Sequence, residues 1–378
     1  MASLLNKVLI IGGGIGGLSA AIALRKLGIY VELAEIQPAY SVYGVGIIQP
    51  SNALRALDAL GMADACMAKG SPYGPVRMCT AAGHVIGEAG TPPMGRLPVH
   101  NGISRRILHD ILHQGVVEKG VRIRMGVTAT AIDNGPDSAT VRFSDGSTDT
   151  YDLVIGADGV YSQVRSLVMG DHKPRYTGQS VWRYAFPRLN SLDTGHIFFG
   201  RNTKAGLIPM TDTTMYMFLV SAEGPTPKMT TDALVPTMRA RLADYQTPMI
   251  TDLIDQITDP ERVIYRPLET LLVPGPWYKN RVLLIGDAVH ATIPQLGQGA
   301  GLAIEDAVVL GELLASGNSL PGVLESFMER RFSRCQMVVD ASNTLGEWEQ
   351  LDWQGALPEG ANMGALMGKT LAALGAPI

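Results

Sequence analysis

The sequence predicts an α/β protein, with a parallel-sheet domain interleaved with a mostly antiparallel β-sheet domain and followed by C-terminal helices. Three observations predict it. Lys7–Gln37 reads as strand, glycine turn, helix, strand and acid. The apolar runs Leu153–Ile155 and Val282–Ile285 each lead into a glycine–acid turn, Gly156–Gly159 and Gly286–Asp287. Between them, Tyr176–Pro267 holds short strand-like runs bounded by polar turns, such as Thr214–Val220, and these read as antiparallel strands.

Val8–Ile11 is apolar and rich in branched side chains, which suits a central parallel strand. Gly12, Gly14 and Gly17 follow as G-x-G-x-x-G, with Glu35 18 residues after Gly17. In a Rossmann-like βαβ unit the first glycine permits the tight turn, the second lets backbone approach a pyrophosphate, and the third lets helix pack on strand. Leu18–Leu27 has helical spacing and Gly28 ends it, so the helix N-terminus offers free N–H groups to phosphates. Tyr30–Ala34 is the second strand, and Glu35 at its end can accept from ribose hydroxyls while repelling a 2′-phosphate. This segment predicts a dinucleotide without deciding between NAD and FAD.

Ser51–Gly61 reads as a helix with Leu54, Leu57 and Leu60 on one face. The third α/β segment holds a helix over Arg105–Val117, a strand over Arg122–Val127 and a hairpin through Ser144–Ser147. Met78–Leu97 reads as further antiparallel strands, Thr231–Ile254 as helices, and Gly301–Leu314 as a long helix. The tail from Gly355 has weak helical patterning. The expected division is a discontinuous cofactor domain (1–75, 98–172 and 268–345), a substrate domain (76–97 and 173–267) and a C-terminal helical tail (346–378).

Composition sets the outer bounds. Of 378 residues, 46% are hydrophobic and 17% charged, which argues for a large core and against disorder. The net charge of −4, without a basic block, argues against nucleic acid as a partner. No apolar run reaches the ~18 residues of a membrane span, and no signal peptide fits the start, so a cytoplasmic location is expected. Cys66, Cys79 and Cys335 lack metal spacing, so buried thiols and no metal site are expected.

Two downstream motifs select the cofactor. Tyr151–Arg165 reads YDLVIGADGVYSQVR, and Asn280–Asp306 reads NRVLLIGDAVHATIPQLGQGAGLAIED. Asp287, at the carboxyl end of its strand, can accept from the hydroxyls of a ribityl chain. The glycine loop after it leads to a helix N-terminus that favours negative charge on a flavin. FAD is therefore the expected occupant.

Together, Gly12–Gly17 with Glu35, GADGVYSQVR and GDAVH…P…GQG…ED resemble the flavoprotein aromatic hydroxylases, the family of para-hydroxybenzoate hydroxylase, salicylate hydroxylase and 6-hydroxynicotinate 3-monooxygenase. The resemblance extends from about residue 7 to about residue 345. It implies an FAD-binding Rossmann-like domain and a single-component monooxygenase. Such an enzyme uses NAD(P)H and O₂, with oxygen adding at the flavin C4a position, to hydroxylate a small electron-rich aromatic or N-heteroaromatic ring. A monomer or homodimer is expected.

Carried over by residue, the resemblance assigns the ADP half of FAD to Gly12, Gly14, Ile15, Gly16, Gly17, Glu35 and Ile36. It assigns the flavin lining to Gly44–Ile48, within it Gly46 and Ile47, and the FAD-contacting arginine to Arg105, with Arg106 as the register alternative. Val127 falls at the adenine contact, Asp158–Gly159 at the motif tied to FAD and NAD(P)H, and Asp287, Gly297, Gly299 and Ala300 beside the flavin. The chain departs from hydroxypyridine-acting relatives at Ile48, where they carry a histidine proposed as a base. A catalytic histidine is therefore not transferred.

The candidate catalytic residues are Tyr216, Arg183 and Pro294. Tyr216 can hydrogen-bond a phenolic oxygen or pack in the core, and Arg183 can pair with a substrate carboxylate or an internal acid. Pro294 can shape the pocket wall. His290 reads as a structural histidine before a catalytic one. Arg201 and Lys204 read as solvated charge in a loop, and the run Glu329–Arg331 as a solvated helix face with ion pairs. Two alternatives remain open. One is a related flavin reductase or halogenase, although the WxWxIP halogenase signature is absent; the other is a non-catalytic ligand-sequestering flavoprotein.

Overall fold

The computed structural model describes residues 4–40, 45–225 and 228–378. Its central sheet has six strands in the spatial order Tyr278–Lys279, Val282–Leu284, Leu153–Gly156, Lys7–Ile11, Tyr30–Glu35, Arg122–Met125. All neighbours are parallel except the first pair. The helix Ile15–Lys26 packs along the helix Gly299–Ala315, and the strands beneath are buried through Val8–Ile11, Val31, Leu33 and Leu153–Ile155. These are the continuous apolar runs that a sheet covered on both faces requires.

The turn between the first strand and the first helix is the tightest part of this layer. Gly12 has φ +109°, and a Cβ there would stand 2.3 Å from the Ala157 carbonyl oxygen. A Cβ on Gly17 would stand 2.0 Å from the Gly12 carbonyl oxygen. Both glycines therefore serve close packing.

A seven-stranded sheet has the order Ile264–Thr270, Arg175–Pro187, Thr214–Ala222, Thr203–Pro209, His196–Phe199, Val76–Thr80, Val85–Ala89. Period-2 alternation gives it two different faces. Trp182, Tyr184, Met215, Met217, Leu219, Leu207 and Phe198 form a core under the helices Thr231–Leu242 and Pro248–Ile254. Val181, Arg183, Tyr216, Phe218 and Val220 point the other way, into a cavity. One expectation needs correction: His196–Phe199 and Val76–Thr80 pair in parallel. A parallel neighbour needs a long connection, and the chain supplies one by passing through the central sheet between the two strands.

A three-stranded antiparallel sheet, Gly46–Pro50, His100–Ser104 and Ser71–Tyr73, lies apart from these two, and a second one is the hairpin region Ala129–Tyr151. The helix Leu320–Trp353 runs unbroken past residue 345, and Met363–Ala373 forms a final helix. Among the described residues no helix is long and apolar enough to cross a membrane.

Gly17→Ala is expected to cost about 1–3 kcal/mol, the range for forced overpacking, and to lower the urea midpoint of the apoprotein. An unchanged midpoint would show that this turn relaxes freely.

Candidate active site

One cavity of about 700 Å³ runs between the central sheet and the cavity face of the seven-stranded sheet. At one end are Gly14, Ile15, Gly16 and Glu35. The helix opened by Gly14 has no side-chain cap, and a Cβ on Gly14 would meet nothing within 4 Å. Free amides facing open space suit a phosphate. Glu35 is oriented by backbone amides: Oε2 accepts from Gly13 N at 2.7 Å and Oε1 from Gln37 N at 2.9 Å. A carboxylate so held retains lone pairs for ribose hydroxyls.

The middle of the cavity is lined by Gly46, Ile47, Arg105, Gly159, Asp287, Pro294, Gly297, Gly299 and Ala300. Asp287 follows the strand Val282–Leu284 and lies deep in the molecule, with its own surface opening onto the cavity. Burial pushes its carboxyl up, while His290 and Arg105 pull it down by less. The helix Gly299–Ala315 starts without a side-chain cap, so a second set of free amides faces the cavity. The donor set is thus amides and an acid at one end, and an acid with amides in the middle. It fits a flavin dinucleotide.

The third part is the sheet face. Arg183 and Tyr216 lie on adjacent strands, with Ala185 opposite Tyr216. Burial pulls the Arg183 guanidinium down to about 10, helped by Arg105 and Arg266, so it stays cationic at neutral pH. Burial raises the Tyr216 phenol to about 12, against the pull of Arg183 and Arg105, so it stays protonated. The Gly46 backbone presses on this ring: a Cβ there would stand 2.2 Å from Tyr216 Cδ1.

Five expected positions are not brought to the cavity. Gly12 and Gly17 pack the turn, and Ile36 is exposed. Val127 donates its N–H to the Glu35 carbonyl at 2.9 Å. Asp158 accepts from Ser162 Oγ, Gln163 N and Val164 N, capping the next helix, while Ala157, Gly159 and Val160 line the cavity instead. Gly44 lies outside the described residues.

Two readings of solvated charge are overturned. Arg331 is fully buried, donating to Asp306 Oδ1 at 2.8 Å and Glu305 Oε2 at 2.9 Å. Asp306 Oδ2 also accepts from Gly286 N at 2.9 Å and pairs with His290 Nε2 at 2.7 Å. Burial opposes charge on His290, but Cys335 and Asp306 outweigh it and hold the imidazole protonated. His290, Asp306 and Cys335 bring three ligand-type atoms within 4.8 Å of one another, and the Arg331 guanidinium stands beside them. Lys204 lies in a strand, buried and paired with Glu349 of the long helix. The period-2 pattern through Lys204, Gly206 and Ile208 is the available signal for Lys204; Arg331 has none beyond its helical spacing from Cys335.

A family model described as an FAD binding domain matches residues 6–342. The chain is 31% identical over 356 residues to aurachin C monooxygenase/isomerase of Stigmatella aurantiaca, covering 90% of each. It is 32% identical over 353 residues to 2-heptyl-3-hydroxy-4(1H)-quinolone synthase of Pseudomonas aeruginosa, covering 90% of each. Klebsiella pneumoniae HpxO, solved with FAD and uric acid, superposes with a TM-score of 0.83 at 25% identity, covering 97% of this chain and 96% of that one.

Asp287→Asn is expected to stabilise the apoprotein at pH 7. A folded-state carboxyl raised above 3.8 makes the ionised form unfavourable to folding, so wild-type stability falls as pH rises from the unfolded value through the raised one. Its opening onto the cavity lets solvent reduce the penalty. The gain in melting temperature should vanish as pH falls below about 3.9; a gain independent of pH would refute the assignment.

Proposed function

Since this chain belongs to the FAD-binding domain family of FAD-dependent monooxygenases, we propose that it hydroxylates a small, electron-rich aromatic or N-heteroaromatic ring carrying an ionisable oxygen, held between Arg183, Tyr216 and the loop Pro294–Ala300. The observation that carries this reading is Arg183: a cavity-lining guanidinium for which no hydrogen bond or ion pair is found among the described residues. The Pseudomonas relative, by its name a synthase of a heptyl-substituted hydroxyquinolone, favours the N-heteroaromatic alternative. NAD(P)H and O₂ are the co-substrates. FAD, when bound, supplies the redox and oxygen chemistry.

The chain's own residues perform the rest. The amides at Gly14–Gly16 would hold the pyrophosphate and Glu35 the ribose. Asp287 would accept from the ribityl chain, and the amides at Gly299–Ala300 would favour negative charge on the ring system. Arg183 and Arg105 place positive potential beside the substrate oxygen. That favours its deprotonated form, and a phenolate is the more reactive ring toward electrophilic oxygen. Tyr216, kept protonated, donates a hydrogen bond to the same oxygen. Pro294 stiffens the cavity wall. The division into a cofactor part (1–75, 98–172 and 268–345) and a substrate part (76–97 and 173–267) belongs to this proposal. So does the monomer or homodimer state.

The test is reconstitution with FAD, then oxygen uptake with NADH or NADPH across phenolic, benzoic and heteroaromatic acids, with product mass. One ligand gaining a single oxygen atom supports the proposal, and peroxide formation with every ligand overturns it. Arg183→Gln is expected to raise KM by about 10–100-fold, the range for a hydrogen bond to a charged group, and Tyr216→Phe by less. Steady-state kinetics at fixed pH reads both, and equal KM values in the arginine variant and wild type would remove Arg183 from the substrate site.

A further inference from the structure

Six residues of the cavity lining have no part in the ring and cofactor assignments above. They are Pro50, Val76, Ala89, His100, Met367 and Leu371. Strand pairing brings members of this set together: Pro50 is opposite His100, and Val76 is opposite Ala89. Tyr73 stacks on His100 and shares a hydrophobic cluster with Val76, Ile208 and Tyr216. The region therefore adjoins the ring that Tyr216 would contact.

Its chemistry is apolar. His100 is the one titratable group in the set, and its Nδ1 lies 3.0 Å from the Gly74 carbonyl oxygen. Burial lowers its pKa, so it is neutral at physiological pH. A charged or strongly polar substituent placed here would lose hydration without finding a partner, whereas a hydrocarbon would gain from burial.

The helix Met363–Ala373 contributes to the wall. Met363, Leu366 and Leu374 pack it against the core, and Met367 and Leu371 reach the cavity. The carbonyls of the segment after it are held by arginines. Arg55 donates to Gly375 O at 3.0 Å and Ala376 O at 2.7 Å, and Arg334 donates to Leu374 O at 3.0 Å. Arg330 donates to Ile378 O at 2.6 Å. These bonds anchor the segment that follows the helix and so hold the wall in place.

We propose that this region is a subsite for a hydrocarbon substituent on the aromatic substrate, and that Met367 and Leu371 of the C-terminal helix set its length. The proposal rests on the aromatic-ring reading above. The test is calorimetric titration of the FAD-loaded enzyme with 4-hydroxyquinoline bearing no chain or a 2-propyl, 2-pentyl or 2-heptyl chain. Affinity should rise by up to about fourfold per methylene until the subsite is filled. Met367→Trp should weaken the heptyl ligand at least tenfold more than the unsubstituted one. Binding of the bare ring with no gain from the chain overturns the subsite and leaves the ring reading standing. No binding by any member also overturns the subsite, while the oxygen-uptake panel judges the ring reading by itself.

Discussion

The Asp306 carboxylate holds the floor of the site together. One oxygen takes the Gly286 amide and His290, and the other takes Arg331. Gly286 immediately precedes Asp287, so the bond that ends the strand also sets where the acid meets the cavity. Glu305 extends the same network: it accepts from Arg331, Arg334 and Asn52, and Asn52 also donates to Gln298 at the start of the helix Gly299–Ala315. Buried charges persist only when paired, and this pairing ties segments distant in sequence to one point beside the cavity.

A second constraint is the two-faced sheet. Its strands alternate between a face that buries apolar surface under helices and a face that lines the cavity. Met215, Met217 and Leu219 serve the first, and Tyr216, with Arg183 beside it, serves the second. A shift of one residue would reverse both sets. Lys204 belongs to the cavity face, and its charge is neutralised by Glu349. Gln295 of the loop is bonded to Gln179 and Glu349 in the same cluster. The long helix thereby braces the loop that contains Pro294.

Much of this is legible in the residues. The glycine turn, Glu35 and the Gly286–Asp287 turn declare their places because each depends on local backbone geometry, which short motifs encode directly. Tyr216 and Arg183 are legible as candidates, since alternation gives them a face, though not which face. Arg331 and Lys204 read as solvated because a charged residue usually is. Their burial depends on partners 25 and 145 residues away. Asp158 reads as a ligand and serves as a helix cap, since a glycine–acid turn before a helix has the same spacing for either purpose.

Residue type and spacing within a few turns were enough to establish the dinucleotide framework, the α/β class and the positions where backbone must approach backbone. Three outcomes waited for the folded chain: which charges are buried, which face of the seven-stranded sheet meets the cavity, and that the weakly patterned C-terminal segment forms part of the cavity wall. Each of these rests on contacts between residues far apart along the chain, and neither period nor motif carries a record of the partner.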